Sequence, residues 1–127
     1  MCEVFMLQIR SLTETACPVW NGSITKNHEN ILECIQKSAT KIILGQNFKT
    51  YDCALETLNL ITLSERRQQL CLTFAKKASA STKFMPWFKE IEKQTRTNKK
   101  FALPKTRTAT YEKSPLMYLT KLLNSHT

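Results

Sequence analysis

At 127 residues the chain is long enough for one modest hydrophobic core, and its two glycines and four prolines exclude a turn-rich sandwich or barrel. A formal charge of +9 favours polyanionic partners, nucleic acid first, through Coulomb attraction and counterion release. Cys2, Cys17, Cys34, Cys53 and Cys71 are spread evenly, with no CxxC pair and no close histidine, which excludes zinc-ligand spacing.

The cysteines therefore read as reduced, mostly buried thiols of an intracellular protein. No apolar run approaches the ~20 residues that span a bilayer, and the N-terminus lacks the order of a signal peptide. A soluble protein of nucleus or cytoplasm is expected, not secreted and with no membrane partner.

The first predicted element is a helix within Met1–Ala16, with Phe5, Ile9 and Leu12 on one face. Pro18 biases Cys17 away from helical angles, so the chain is expected to turn there, with Trp20 as a packing anchor. A long helix follows, capped by Thr25 and ended by Gly45, with an apolar stripe of Ile31, Leu32, Ile35, Ala39, Ile42 and Ile43. Lys37 and Lys41 lie one turn apart on the opposite side, either an ordinary solvated face or a phosphate-contacting ridge.

Thr50 starts a short helix that carries Ala54, Leu55 and Leu58. Thr62-Leu63-Ser64-Glu65 has the spacing of a capping box, and the helix it opens is expected to run to about Ala78 with Leu63, Leu70, Cys71, Phe74 and Ala78 inward. Arg67 falls inside that stripe and needs a partner for its guanidinium, such as Glu56, Glu65 or a helix C-terminus. Arg66, nearer the rim, is the candidate for an exposed phosphate contact.

Ala78–Thr82 reads as a linker, and Phe84-Met85-Pro86-Trp87-Phe88 as an aromatic knot in which Trp87 tucks against the preceding helices. From Lys89 to Lys113 eight basic residues, Lys93 and Arg96 among them, face three glutamates. This composition predicts an extended or partly disordered arm, which either grips a phosphate backbone or simply solubilises the chain. Ser114-Pro115 then caps a terminal helix with Leu116, Leu119, Leu122 and Leu123 in its stripe.

The fold expected is all-α: a small bundle of about four to five helices over residues 1–88, a basic, partly extended arm over 89–113 and a short helix over 114–127. No catalytic set can be assembled. His28 and His126 are isolated, glycine-rich phosphate loops and helix-borne metal motifs are missing, and Asp52 is the sole aspartate, too few carboxylates for a two-magnesium polymerase site. A chain that is not an enzyme and takes no cofactor is expected.

Ile9-Arg10-Ser11, Ala16-Cys17-Pro18-Val19-Trp20, Ile35-Gln36-Lys37, Ile42-Ile43-Leu44-Gly45, Leu63-Ser64-Glu65-Arg66-Arg67, Leu70-Cys71 and Phe74-Ala75-Lys76 stand in a distinctive order. Arg107-Thr108, Tyr111, Ser114-Pro115, Tyr118-Leu119 and Leu122-Leu123-Asn124 continue it. Together they resemble the C-terminal region of jockey-like non-LTR retrotransposon reverse transcriptases, over nearly the whole chain. The resemblance implies a thumb and post-thumb tail that supports template-primer binding, with the polymerase aspartates upstream. Thr13, Thr15, Thr106 and Leu116-Met117 depart from the family pattern, and Ser38 and Thr110 stand where it has basic residues.

A non-catalytic reverse transcriptase fragment is thus the leading expectation, binding RNA or an RNA/DNA duplex through Lys37, Lys41, Arg66, Lys99, Lys100, Lys105 and Arg107. The competing readings are a protein-interaction module whose apolar faces, Phe84–Phe88 and Leu116–Leu123, dock on a missing polymerase palm and fingers, and a decayed retroelement remnant without activity.

Overall fold

The computed structural model describes residues 2–92, 96–97 and 99–126, and the side chains of all of these except 2 and 6. In chain order the elements are α1 (Cys2–Val4), a π-helical turn (Phe5–Ile9), α2 (Arg10–Glu14), α3 (Cys17–Trp20) and α4 (Lys26–Leu44). A 3-10 turn (Gly45–Asn47), α5 (Tyr51–Thr57), α6 (Leu63–Ala80), a second 3-10 turn (Met85–Trp87), α7 (Ala109–Glu112) and α8 (Pro115–Ser125) complete the order. The chain is all-α: among the described residues no strand forms, only an isolated antiparallel bridge between Glu90 and Phe101.

Where chain length suggests one core, there are two compact units, Met1–Ala16 with Ile24–Arg67 and Cys17–Ser23 with Gln68–Thr127. The division falls inside α6, immediately after the buried Arg67, whose polar head interrupts the apolar stripe of that helix.

In the first unit the expected Phe5, Ile9 and Leu12 face is replaced by another. The Arg10 amide bonds to Phe5 O, five residues back, so the π-helical turn carries Phe5 and Arg10 to one side. Both are buried, whereas Ile9 and Leu12 are exposed. An unbroken 3.6-residue period would have put Ile9, not Arg10, beside Phe5.

Helix α4 starts and stops as its sequence predicts. Thr25 accepts a bond from His28 N, and Gly45 takes φ of +52°, the left-handed region that a Cβ disfavours. Its inward face is rotated from the predicted stripe: Gln36 and Thr40 are completely buried, while Ile31, Ile35 and Ile42 are exposed.

Polar bonding accounts for the rotation. Gln36 Nε2 donates to Tyr51 Oη at 2.9 Å and to Ile61 O at 3.0 Å. Glu33 Oε1 accepts from Tyr51 Oη and from Leu63 N, which ties α4 to α5 and to the start of α6. A buried amide left without such bonds would cost about 1–3 kcal/mol, comparable with the exposure of an isoleucine.

Thr50 caps α5 as predicted, and the helix ends in a Schellman arrangement, with Leu60 N on Leu55 O at 2.8 Å and Asn59 N on Glu56 O at 3.1 Å. Leu55 and Leu60 meet Phe5 and Ala39 in the core of this unit. At the start of α6, Thr62 Oγ1 accepts from Glu65 N at 3.3 Å, half of the predicted capping box, while Glu33 serves Leu63 N.

The chain turns at Ala16, φ +52°, the last residue of the first unit's opening stretch and one residue before the expected place, and the second unit begins at Cys17. Pro18 then sits inside the single turn of α3, where its missing donor costs nothing because first-turn amides have no intrahelical acceptor. Trp20 packs against the core as expected.

Helix α8 comes close to the segment after α3: a Cβ on Gly22 would lie 2.6 Å from Tyr118 Cβ, so glycine is required there, and Asn21 Nδ2 donates to Tyr118 Oη at 2.7 Å. The core joins Cys17, Cys71, Ala75 and Ala78 with Phe88, Phe101, Leu119, Leu122 and Leu123. Cys34 and Cys53, by contrast, are exposed, so burial of the thiols holds only for Cys17 and Cys71 among the described side chains.

Three local expectations are corrected in this unit. Ala75 is buried in place of Phe74, and Trp87 is 61% exposed while its neighbour Phe88 is buried at 4%. Ser114 takes the extended N-cap conformation, yet its hydroxyl makes no cap bond. The basic arm is also pinned where few apolar residues suggested no core: Phe101 is buried, and Asn124 brackets its backbone with Oδ1 on Phe101 N and Nδ2 on Phe101 O, both at 3.0 Å.

Two backbone bonds, Ile91 N to Lys100 O at 2.9 Å and Ala102 N to Lys89 O at 2.7 Å, pair the residues on either side of the Glu90–Phe101 bridge. Thr108 then caps the short α7. Lys93 of this arm lies outside the described residues.

Candidate nucleic-acid interface

In the first unit Lys37 and Lys41 project one turn apart from α4, both exposed, with Lys41 Nζ 5.5 Å from the centre of the Phe48 ring. Arg66 is placed differently from its neighbours in the sequence-derived set. Its Nε donates to Glu14 Oε1 at 2.6 Å and its side chain is 38% exposed, so part of its fork is committed inside the protein.

Glu14 Oε1 also lies 3.2 Å from Arg10 Nε. Burial, then the nearby Arg66, lowers the Arg10 pKa, and Glu14 opposes the shift. Arg10 carries no flag in the sequence, because only the π-helical turn brings it inward.

In the second unit Lys99, Lys100, Lys105 and Arg107 are all exposed. Lys99 and Lys100 stand beside the paired residues Phe101 and Ala102; Lys105 and Arg107 follow on the irregular stretch before α7. Lys100 is partly engaged, 3.5 Å from Glu90 and 5.4 Å from the centre of the Phe101 ring. These four share a unit with one another but not with Lys37, Lys41 and Arg66.

The second unit holds a feature that the sequence marks only as an aromatic knot. Val19, Phe74, Phe84, Trp87, Pro115 and Leu116 line an apolar cleft of about 120 Å³. Phe84 and Trp87 meet edge to face with ring centres 5.0 Å apart, and Lys83 Nζ stands 5.6 Å from the Phe84 ring centre.

No protein-family model, curated protein or solved structure matches the chain. The likeness to jockey-like reverse transcriptases therefore rests on the colinear residues quoted above.

Chemically, the described residues offer fixed cations and an exposed aromatic wall. Cations of this kind attract phosphates without regard to sequence, and aromatic faces hold bases by stacking. Among the described residues no three His, Cys, Asp or Glu side chains come together as a metal site, and no helix is long and apolar enough to cross a membrane.

Proposed function

We propose that the chain is a non-catalytic part of a non-LTR retrotransposon reverse transcriptase, the thumb and post-thumb tail, and that it supports template-primer binding through phosphates. The observation that carries this reading is the concentration of exposed Lys99, Lys100, Lys105 and Arg107 within nine residues of one unit. Lys37 and Lys41 add a second, separate pair of exposed cations. The colinear family residues supply the class of nucleic acid, an RNA or RNA/DNA duplex.

The test is fluorescence anisotropy with a labelled RNA/DNA duplex between about 50 and 200 mM salt. Contact with one phosphate by each of these six cations gives a slope of log affinity against log salt of about −5.4, at about 0.9 per phosphate. An affinity that stays flat across this range removes the proposal.

A second reading, docking on a polymerase palm and fingers, is favoured by the exposed Ile31, Ile35 and Ile42 of α4, where Ile9, Cys34 and Ile35 line a shallow depression. The Leu116–Leu123 face is less suited to that role, since Leu119, Leu122 and Leu123 are buried in their own unit. Self-association in sedimentation velocity that disappears in an Ile35→Glu, Ile42→Glu variant, with no shift of RNA in a gel, would favour this reading over the first.

A further inference from the structure

We infer that the cleft beside Trp87 receives an unpaired base of single-stranded nucleic acid, an inference that rests on the phosphate-binding reading above and names the part of the ligand it takes. Tryptophan is the largest apolar side chain, and burying it would be strongly favourable. Trp87 is nevertheless 61% exposed, while Phe88 next to it fills the core. Phe84 meets the indole edge to face at 5.0 Å, and Phe74, which also lines the cleft, is 43% exposed. The cleft thus has aromatic walls that are partly open to solvent.

The volume and charge of the surroundings select the occupant. A cleft of about 120 Å³ is close to the size that accepts a single benzene-like ring, since cavities of about 150 Å³ bind benzene. Its wall is apolar, so it holds a ring by contact and stacking rather than by reading hydrogen-bond edges.

Cations flank it. Lys83 Nζ stands 5.6 Å from the centre of the Phe84 ring. Lys113 lines an adjoining depression that shares Val19 and Pro115 with the cleft. Two acidic residues of the 89–113 arm are themselves engaged, Glu90 3.5 Å from Lys100 and Glu112 3.4 Å from Lys121.

An apolar ring between phosphates is complementary to an aromatic cleft between lysines. A purely apolar protein side chain would leave the lysines unused. The chemistry is that of sequence-tolerant single-strand binding, in which each stacked base contributes about tenfold or more in affinity.

The test compares three labelled probes by anisotropy at fixed low salt: a twelve-nucleotide oligouridylate, the same strand with abasic sites at its centre, and a duplex. The wild-type chain is expected to bind oligouridylate about tenfold more tightly than the abasic strand. Trp87→Ala should lose that margin and leave abasic and duplex binding unchanged, with Trp87→Phe intermediate. Because Trp87 is largely exposed, far-UV circular dichroism of the variants should match the wild type.

Equal wild-type affinity for oligouridylate and abasic strand, or unchanged oligouridylate binding by Trp87→Ala, overturns the inference and leaves the cleft to an apolar side chain of a protein partner. In that case salt-dependent binding of the duplex still upholds the phosphate reading. Binding of none of the three probes overturns both.

Discussion

Ala16 shows how one residue can hold a turn at a cost. Its φ of +52° falls in the left-handed region, which costs a Cβ-bearing residue about 1–2 kcal/mol. Glycine removes that strain but gains freedom in the unfolded chain, so Ala16→Gly is expected to stabilise by about 0.5–1 kcal/mol, seen as a higher urea midpoint at unchanged slope. Tyr51 and Tyr118 are the residues through which pH acts. Burial, the largest cause in both, raises each pKa above its ordinary value near 10, and for Tyr51 the bond to Glu33 adds to it. The folded chain thus favours the neutral phenol. Its contribution is complete below about pH 10, and is lost as pH rises through that value toward the higher folded pKa, because the unfolded tyrosines ionise first. Urea midpoints between pH 8 and 11 should therefore fall at the alkaline end, and fall less in Tyr51→Phe.

Among the elements, the π-helical turn decides most about its surroundings. By closing Arg10 N on Phe5 O it behaves as a helix with one residue inserted, and the exposed Leu7 lies within the insertion. Deletion of Leu7 should let the turn close as ordinary α-helix with Phe5 and Arg10 still on one side. The expected outcome is a helical circular-dichroism spectrum and a melting temperature within a few degrees of wild type, since a change of about 1 kcal/mol moves a domain of this size by only that much. A cooperative loss of helix would show that the π-helical register itself is required. Caps were legible at this scale because they depend on residues a few places apart: Thr25, Thr50, Gly45 and Pro115 all act where local spacing put them. Helix faces were less legible. On α4 the buried Gln36 and Thr40 displaced isoleucines, and the reason lies in Tyr51 and Ile61, far along the chain.

For the molecule as a whole, the two units divide the candidate cations and make their roles separable. Replacing Lys99, Lys105 and Arg107 by glutamine is expected to reduce the salt slope by about 3, and replacing Lys37 and Lys41 by about 2, if each cation meets one phosphate. Measured slopes that do not change in either variant would place the contacts elsewhere. Arg66→Gln should act differently, lowering stability as well as any effect on binding, because it removes the shorter of the two cation contacts of Glu14, 2.6 Å against 3.2 Å for Arg10.

By itself the sequence determined that the chain is helical and where most helices start, since scarce glycine and capping side chains act over a few residues. It also determined the positive balance. Only the tertiary structure decided which faces turn inward, that the apolar residues form two cores, that Phe101 is clasped by Asn124, and that Trp87 is exposed beside an apolar cleft. Those outcomes depend on competition among distant partners for burial and hydrogen bonds, and a local pattern carries no record of which partner wins.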